Sequence, residues 1–151
     1  MTSATLLDAV RAAVSAVDDP ELPGVSIVEL GLLERLVVDD GAVTIGLIPT
    51  FSGCPALSVI AERVEEAAVT VEGVRTVAVT FLDSPAWSVE RISGAARERL
   101  AAGLTIAVER DGRASCPRCG AETVEQSMFG PTRCRAVHRC PGCGEVVEVM
   151  R

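Results

Sequence analysis

Between Leu6 and Val17 the apolar residues recur at helical spacing, with Val10, Val14 and Val17 on one face. Asp18-Asp19-Pro20 closes that helix, because a proline pushes the residue before it out of helical geometry. A loop from Pro20 to Gly24 and an apolar stretch, Val25 to Leu32, come next, and then the period changes. Leu33 to Val38 and Ala42 to Ile48 are β-prone runs joined by Asp39-Asp40-Gly41, a hairpin signal. In the second run Val43, Ile45 and Leu47 alternate with Thr44, Gly46 and Ile48, as in a strand with one face in a core. Pro55 starts a second helix whose inward positions are Leu57, Ile60, Ala61, Val64, Ala67 and Ala68. Gly73 closes that region, and Val74 to Leu82 predicts a third strand. Ser88 to Ala102 predicts a further helix, with Ile92, Ala96 and Leu100 inward and Gly103 as its stop. The order α-β-β-α-β-α predicts a small α/β (α+β) sandwich, its helices covering a mixed sheet.

Composition fits a globular chain: 48% of the 151 residues are apolar and 23% charged, which excludes a disordered one. No apolar run approaches the roughly 18 residues a membrane span requires. Met1-Thr2-Ser3-Ala4-Thr5 leads into the first helix without a basic leader, so a cytoplasmic protein is expected. Charge is divided unevenly. Residues 1–109 hold sixteen acids and seven arginines, whereas 110–151 hold five acids and seven arginines. A pI near 4.7 argues against non-specific nucleic-acid binding, whose affinity comes from neutralising phosphates. The sequence contains no lysine, which excludes lysine-based catalysis. From Glu109 onward the composition shifts to charged residues, glycine and cysteine. The reading is therefore two domains, 1–109 and 110–151.

The second part carries the clearest chemistry. Cys116-Pro117-Arg118-Cys119-Gly120 and Cys140-Pro141-Gly142-Cys143-Gly144 are two C-x-x-C knuckles separated by 20 residues. Two knuckles supply four thiolates, the tetrahedral set of a structural zinc ribbon. Spacing alone does not separate zinc from an iron–sulfur cluster, which also takes four thiolates. Disulfides are the plainer alternative, disfavoured in a reducing compartment. Cys134 lies between the knuckles and reads equally as a core residue or as an extra ligand; His138, the only histidine, reads as a surface ring.

Cys54 stands apart from these. It precedes Pro55 and so falls at the expected helix N-cap, where free N–H groups and the helix dipole favour a thiolate. Thr50 offers a nearby hydroxyl. Taken alone, a lone cysteine in an apolar protein reads better as buried filler. Asp19 and Glu21 flank Pro20; they read as helix-terminating acids or, if brought beside Cys54, as hard ligands or proton carriers.

Together Asp19-Pro20-Glu21-Leu22-Pro23, Ser26 to Leu32, Pro49-Thr50-Phe51-Ser52-Gly53-Cys54-Pro55 and Ser84-Pro85-Ala86-Trp87 resemble the iron–sulfur assembly domain of SufT-type proteins. The ribbon, with Ser127-Met128-Phe129-Gly130 and Cys134-Arg135-Ala136 between its knuckles, is similar to the PaaD type, a family encoded with the phenylacetyl-CoA epoxidase. The resemblance covers nearly the whole chain. It implies an accessory, non-oxygenating role in maturing metal centres of that multicomponent monooxygenase during aerobic phenylacetate catabolism, most plausibly the iron–sulfur cluster of its reductase. It also implies that Cys54 is a transient cluster or iron ligand supported by Asp19, Glu21 and Thr50, with the ribbon, held by structural zinc, as docking module. A purely structural docking subunit is the alternative, and a homodimer sharing two Cys54 thiols stays open. Nucleic acid and membrane are not expected partners. Independently of family, the chain has no Glu-x-x-His pair and one histidine, so it lacks the ligands of a di-iron oxygenase.

Overall fold

The computed structural model describes residues 2–151, which divide into two compact units, one running to Trp87 and the other from Ser88 to Arg151. In the first, helix α1 (Ser3–Ser15) is capped by the Thr2 side chain and is followed by β1 (Leu33–Asp39), β2 (Ala42–Leu47), helix α2 (Ala56–Val69) and β3 (Thr76–Phe81). The three strands form one sheet in the order β1-β2-β3, antiparallel between β1 and β2 and parallel between β2 and β3. The hairpin predicted at Asp39-Asp40-Gly41 is a two-residue loop. Asp39 pairs with Ala42, and Asp40 and Gly41 both have positive φ (45° and 80°), the turn whose twist matches paired strands. Helix α2 crosses from β2 to the parallel β3, packing on β3, while α1 packs on β1 and α2. The sandwich expected from the pattern is present.

Its core is built from branched aliphatic residues. Val10 and Val14 of α1, Ile60, Val64 and Ala68 of α2, and Val43, Ile45 and Leu47 of β2 are all buried. The inward residues of α2 are four apart, so one narrow stripe meets the sheet; Leu57, Ala61 and Ala67, also predicted inward, are half-buried. The 17–32 connection is as buried as the helices, through Leu22, Val25, Ile27, Leu30 and Leu32. Its backbone is satisfied locally. Ile27 N–H donates to Val17 O, and Ser26 and Glu29 form a reciprocal box in which each side chain accepts from the other's N–H, at 3.1 and 3.0 Å.

The second unit holds a single 3-10 turn (Val89–Arg91), helix α3 (Gly94–Leu104) and strands β4 (Ile106–Val108), β5 (Val124–Ser127), β6 (Arg135–Arg139) and β7 (Val146–Met150). The sheet order is β4-β7-β6-β5, with β4 parallel to β7 and the other pairs antiparallel. Two expectations change here. The helix predicted over Ser88 to Ala102 is broken, because Ser93 caps a fresh start by accepting the Ala96 N–H. Its stop is Thr105, in the left-handed region (φ 54°), rather than Gly103. The structural division also falls earlier than the 109/110 change in composition. Strand β4 pairs with β7, and α3 packs on β4, so both belong with the ribbon. Among the described residues no helix is long and apolar enough to cross a membrane.

Candidate functional site

The two knuckles fold as copies of one another. Cys116 N–H donates to Ala121 O and Gly120 N–H to Cys116 O; Cys140 N–H donates to Glu145 O and Gly144 N–H to Cys140 O, all at 2.8–2.9 Å. Gly120 and Gly144 share φ +79°, the left-handed step that turns the chain back after each second cysteine. This backbone brings the Sγ atoms of Cys116, Cys119, Cys140 and Cys143 within 4.8 Å of one another. Cys116 and Cys143 are 3.7 Å apart, and Cys119 and Cys140 3.3 Å. These separations are far beyond a disulfide of about 2 Å. They lie at and somewhat below the edge, about 3.8 Å, of a tetrahedron with zinc–sulfur bonds of about 2.3 Å. Gly142 is a further requirement of the cluster: a Cβ there would meet Cys119 Sγ at 3.3 Å and Ala121 Cβ at 3.2 Å.

The sulfurs are unequal before any metal binds. The N–H of Cys143 above all, with the charge-stabilising Cys119 sulfur and the Gly142 N–H, brings the Cys140 thiol down to about 6. The Glu145 N–H pulls on Cys143, but burial and the sulfurs of Cys116, Cys140 and Cys119 push it up to about 12. Cys140 is thus more readily deprotonated than Cys143, and metal binding at these sulfurs is coupled to proton release. Four convergent thiols of this kind fit a soft, tetrahedral metal ion.

Cys134 lies outside this set. It is half-buried, with its Sγ 3.1 Å from Thr132 Oγ1. His138 is not the surface ring expected from sequence. It faces inward from β6, only 7% exposed, with Nδ1 2.9 Å from Thr123 Oγ1 and Nε2 buried without a hydrogen bond. The alternation of β6 explains this, since Ala136 and His138 share one face and both are buried.

In the first unit Pro49 ends the β2 ladder and Thr50 to Cys54 form a tight loop, where Cys54 N–H donates to Phe51 O. Helix α2 begins at Ala56 with Pro55 as its cap, so Cys54 sits one residue before the N-cap position assigned to it from sequence. Its carbonyl nevertheless receives the Leu57 N–H, and the residue is half-exposed. Thr50, Phe51 and Leu57 line one side of a groove of about 520 Å³ whose other side is Phe81, Pro85 and Trp87. Trp87 is fixed there, its indole N–H donating to Leu30 O at 2.7 Å. Sequence reasoning had no signal for this groove beyond the Trp itself. Asp19 and Glu21 occupy the other loop. Asp19 Oδ1 accepts the Glu21 N–H at 2.8 Å, and the Asp19 N–H donates to Val25 O. The structure therefore assembles the four ribbon cysteines into one cluster and places Thr50 and Cys54 in one loop, with Asp19 shaping its own turn.

An α/β unit carrying a cysteine loop, followed by a four-cysteine ribbon, defines a two-part metal-handling protein. Residues 7–81 match the family described as iron–sulfur cluster assembly protein, and residues 102–151 match the PaaD zinc beta ribbon domain. The chain is 34% identical over 148 residues to an Escherichia coli (strain K12) component of the system named "Putative 1,2-phenylacetyl-CoA epoxidase", covering 93% of this chain and 89% of that one. It is also 34% identical over 89 residues to the Bacillus subtilis Fe-S protein maturation auxiliary factor YitW, covering 58% of this chain and 86% of the relative. A Bacillus anthracis crystal structure, a domain of unknown function DUF59, superimposes with a TM-score of 0.61 at 32% identity, over 66% of this chain and 95% of that one. The chain belongs to the PaaD family, in which an iron–sulfur assembly domain precedes a zinc beta ribbon.

Proposed function

We propose that this protein is an accessory maturation factor, not the oxygenating subunit, for a metal centre of a phenylacetyl-CoA epoxidase system. The client is the iron–sulfur reductase, and the setting is the cytoplasm. Cys54 is the transient ligand for iron or a cluster, with Thr50 in the same loop and Asp19 and Glu21 as its supporting carboxylates. Zinc fills the four-cysteine cluster as a structural ion, and Cys134 is the spare thiol. The observation that carries this reading is a half-exposed Cys54 in the tight loop of a unit that matches iron–sulfur assembly proteins over residues 7–81. A sulfur sealed in the core has no route for handing metal to another protein; this residue is only part-buried.

The test is Cys54→Ala co-expressed with the epoxidase components. The expected result is reductase depleted of iron and sulfide, with the variant's own zinc content unchanged. Reductase iron at the wild-type level would overturn the reading. A second reading, a docking subunit without metal transfer, draws on Met128 and Phe129, which are 55% and 73% exposed beside β5. On that reading Cys54→Ala is silent, and Cys116→Ser alone abolishes co-purification.

A further inference from the structure

Next to the four-cysteine cluster, with Cys116 and Pro117 at its border, the second unit contains a pocket of about 370 Å³ whose charged lining is wholly arginine: Arg97, Arg110 and Arg113, with Ser115. No acid lines it, although the chain as a whole carries 21 acids against 14 arginines. Its apolar lining is Ala101, Ile106, Ala107 and Val108.

Two features make this more than a basic surface. Arg110 and Arg113 are directly opposed across a two-residue turn, exchanging N–H···O bonds at 2.8 and 2.9 Å, with Asp111 and Gly112 at φ 51° and 74°. Like charges facing each other across a hairpin destabilise it unless something neutralises them. The ion pair that Arg113 makes, to Glu122 at 3.9 Å, is long and exposed. The second feature is Arg97. Its guanidinium is pinned by donating from Nε to Ile92 O and from Nη2 to Val89 O, while Nη1 is buried with no hydrogen-bond partner. Burial, then the field of Arg110, pulls this group below its ordinary range, and Glu90 offsets only part. Arg97, Arg110 and Arg113 thus line one pocket with no acid in its lining, Glu122 being the long, exposed partner of Arg113.

We infer that this pocket binds the phosphate group of a small, soluble phosphate monoester. Planar guanidinium forks match tetrahedral phosphate, and its charge of nearly two balances a three-arginine site better than a single carboxylate does. The volume suits a small ligand, and the apolar wall receives its organic part. The inference is independent of the maturation reading and of Cys54.

The experiment is isothermal titration of the full, zinc-loaded chain with AMP and with inorganic phosphate, at constant ionic strength in chloride. Saturable one-site binding is expected for both, tighter for AMP. Arg110→Gln is expected to weaken AMP binding about tenfold or more, as loss of a charged hydrogen-bond donor does. Arg113→Gln is a second exposed variant, with zinc content and circular dichroism confirming the fold of each. Absence of saturation, or unchanged affinity in both variants, would overturn the site. Phosphate binding as tight as AMP would overturn the monoester assignment.

Discussion

The two units hold themselves together by different means. The first buries Ile27, Leu30, Leu32, Ile45, Leu47 and Ile48, large branched side chains that leave nearly no surface exposed. The second buries Leu100, Ile106 and Met150 but around its knuckles packs Ala107, Ala114, Cys116, Cys140, Val147 and Val149, small residues of which two belong to the four-cysteine cluster. Burial of aliphatic surface contributes about 25 cal/mol per Å², so small side chains contribute correspondingly little. Cysteine is absent from the aliphatic core of the first unit and integral to that of the second. Cys54 is part-buried and lies outside the aliphatic core of its unit, so the role proposed for that thiol can be tested without disturbing the core.

The largest effect that tests this contrast is metal removal. Stripping the ribbon, or Cys140→Ser, should abolish protection of amides in β4 to β7 while β1 to β3 remain protected, as read by hydrogen exchange. Structural zinc contributes apparent binding energies of about 10 kcal/mol or more to such domains. Uniform loss of protection across both units would break the comparison. An intermediate effect comes from the other core: Ile45→Ala should cost about 2–5 kcal/mol in urea unfolding of the first unit, with no change in zinc content. The smallest sharpens the boundary. Ser93→Ala removes the α3 cap and should cost about 1 kcal/mol, read in the melting of the ribbon unit rather than the first.

Much of this was legible in the sequence where a short repeat encodes it. The alternation of Val43, Ile45 and Leu47 and the Asp-Gly turn gave the hairpin to within a residue, because a period of two and a turn needing positive φ are local properties. The knuckles were legible for the same reason. What escaped depends on distant partners. The hydroxyl that meets the His138 ring belongs to Thr123, fifteen residues away, and the affiliation of β4 follows from pairing with β7, 42 residues on. Cys54 shows a finer failure. Pro55 suits the first helical turn, yet here it is the cap itself, so the thiol moved one position outward. The Arg110–Arg113 pairing was written in Arg-Asp-Gly-Arg, a turn signal masked by its own charges.

The fixed indole of Trp87 has an optical consequence. It is the only tryptophan in a chain without tyrosine, and it lies in the first unit, hydrogen-bonded beside the groove next to the Cys54 loop. Emission excited at the red edge therefore comes from that unit alone, and the ribbon is dark. With cobalt replacing the ribbon ion, thiolate charge-transfer colour would come from the ribbon alone. The protein carries two distinct signals, one per unit, by which each half can be followed in the same cuvette.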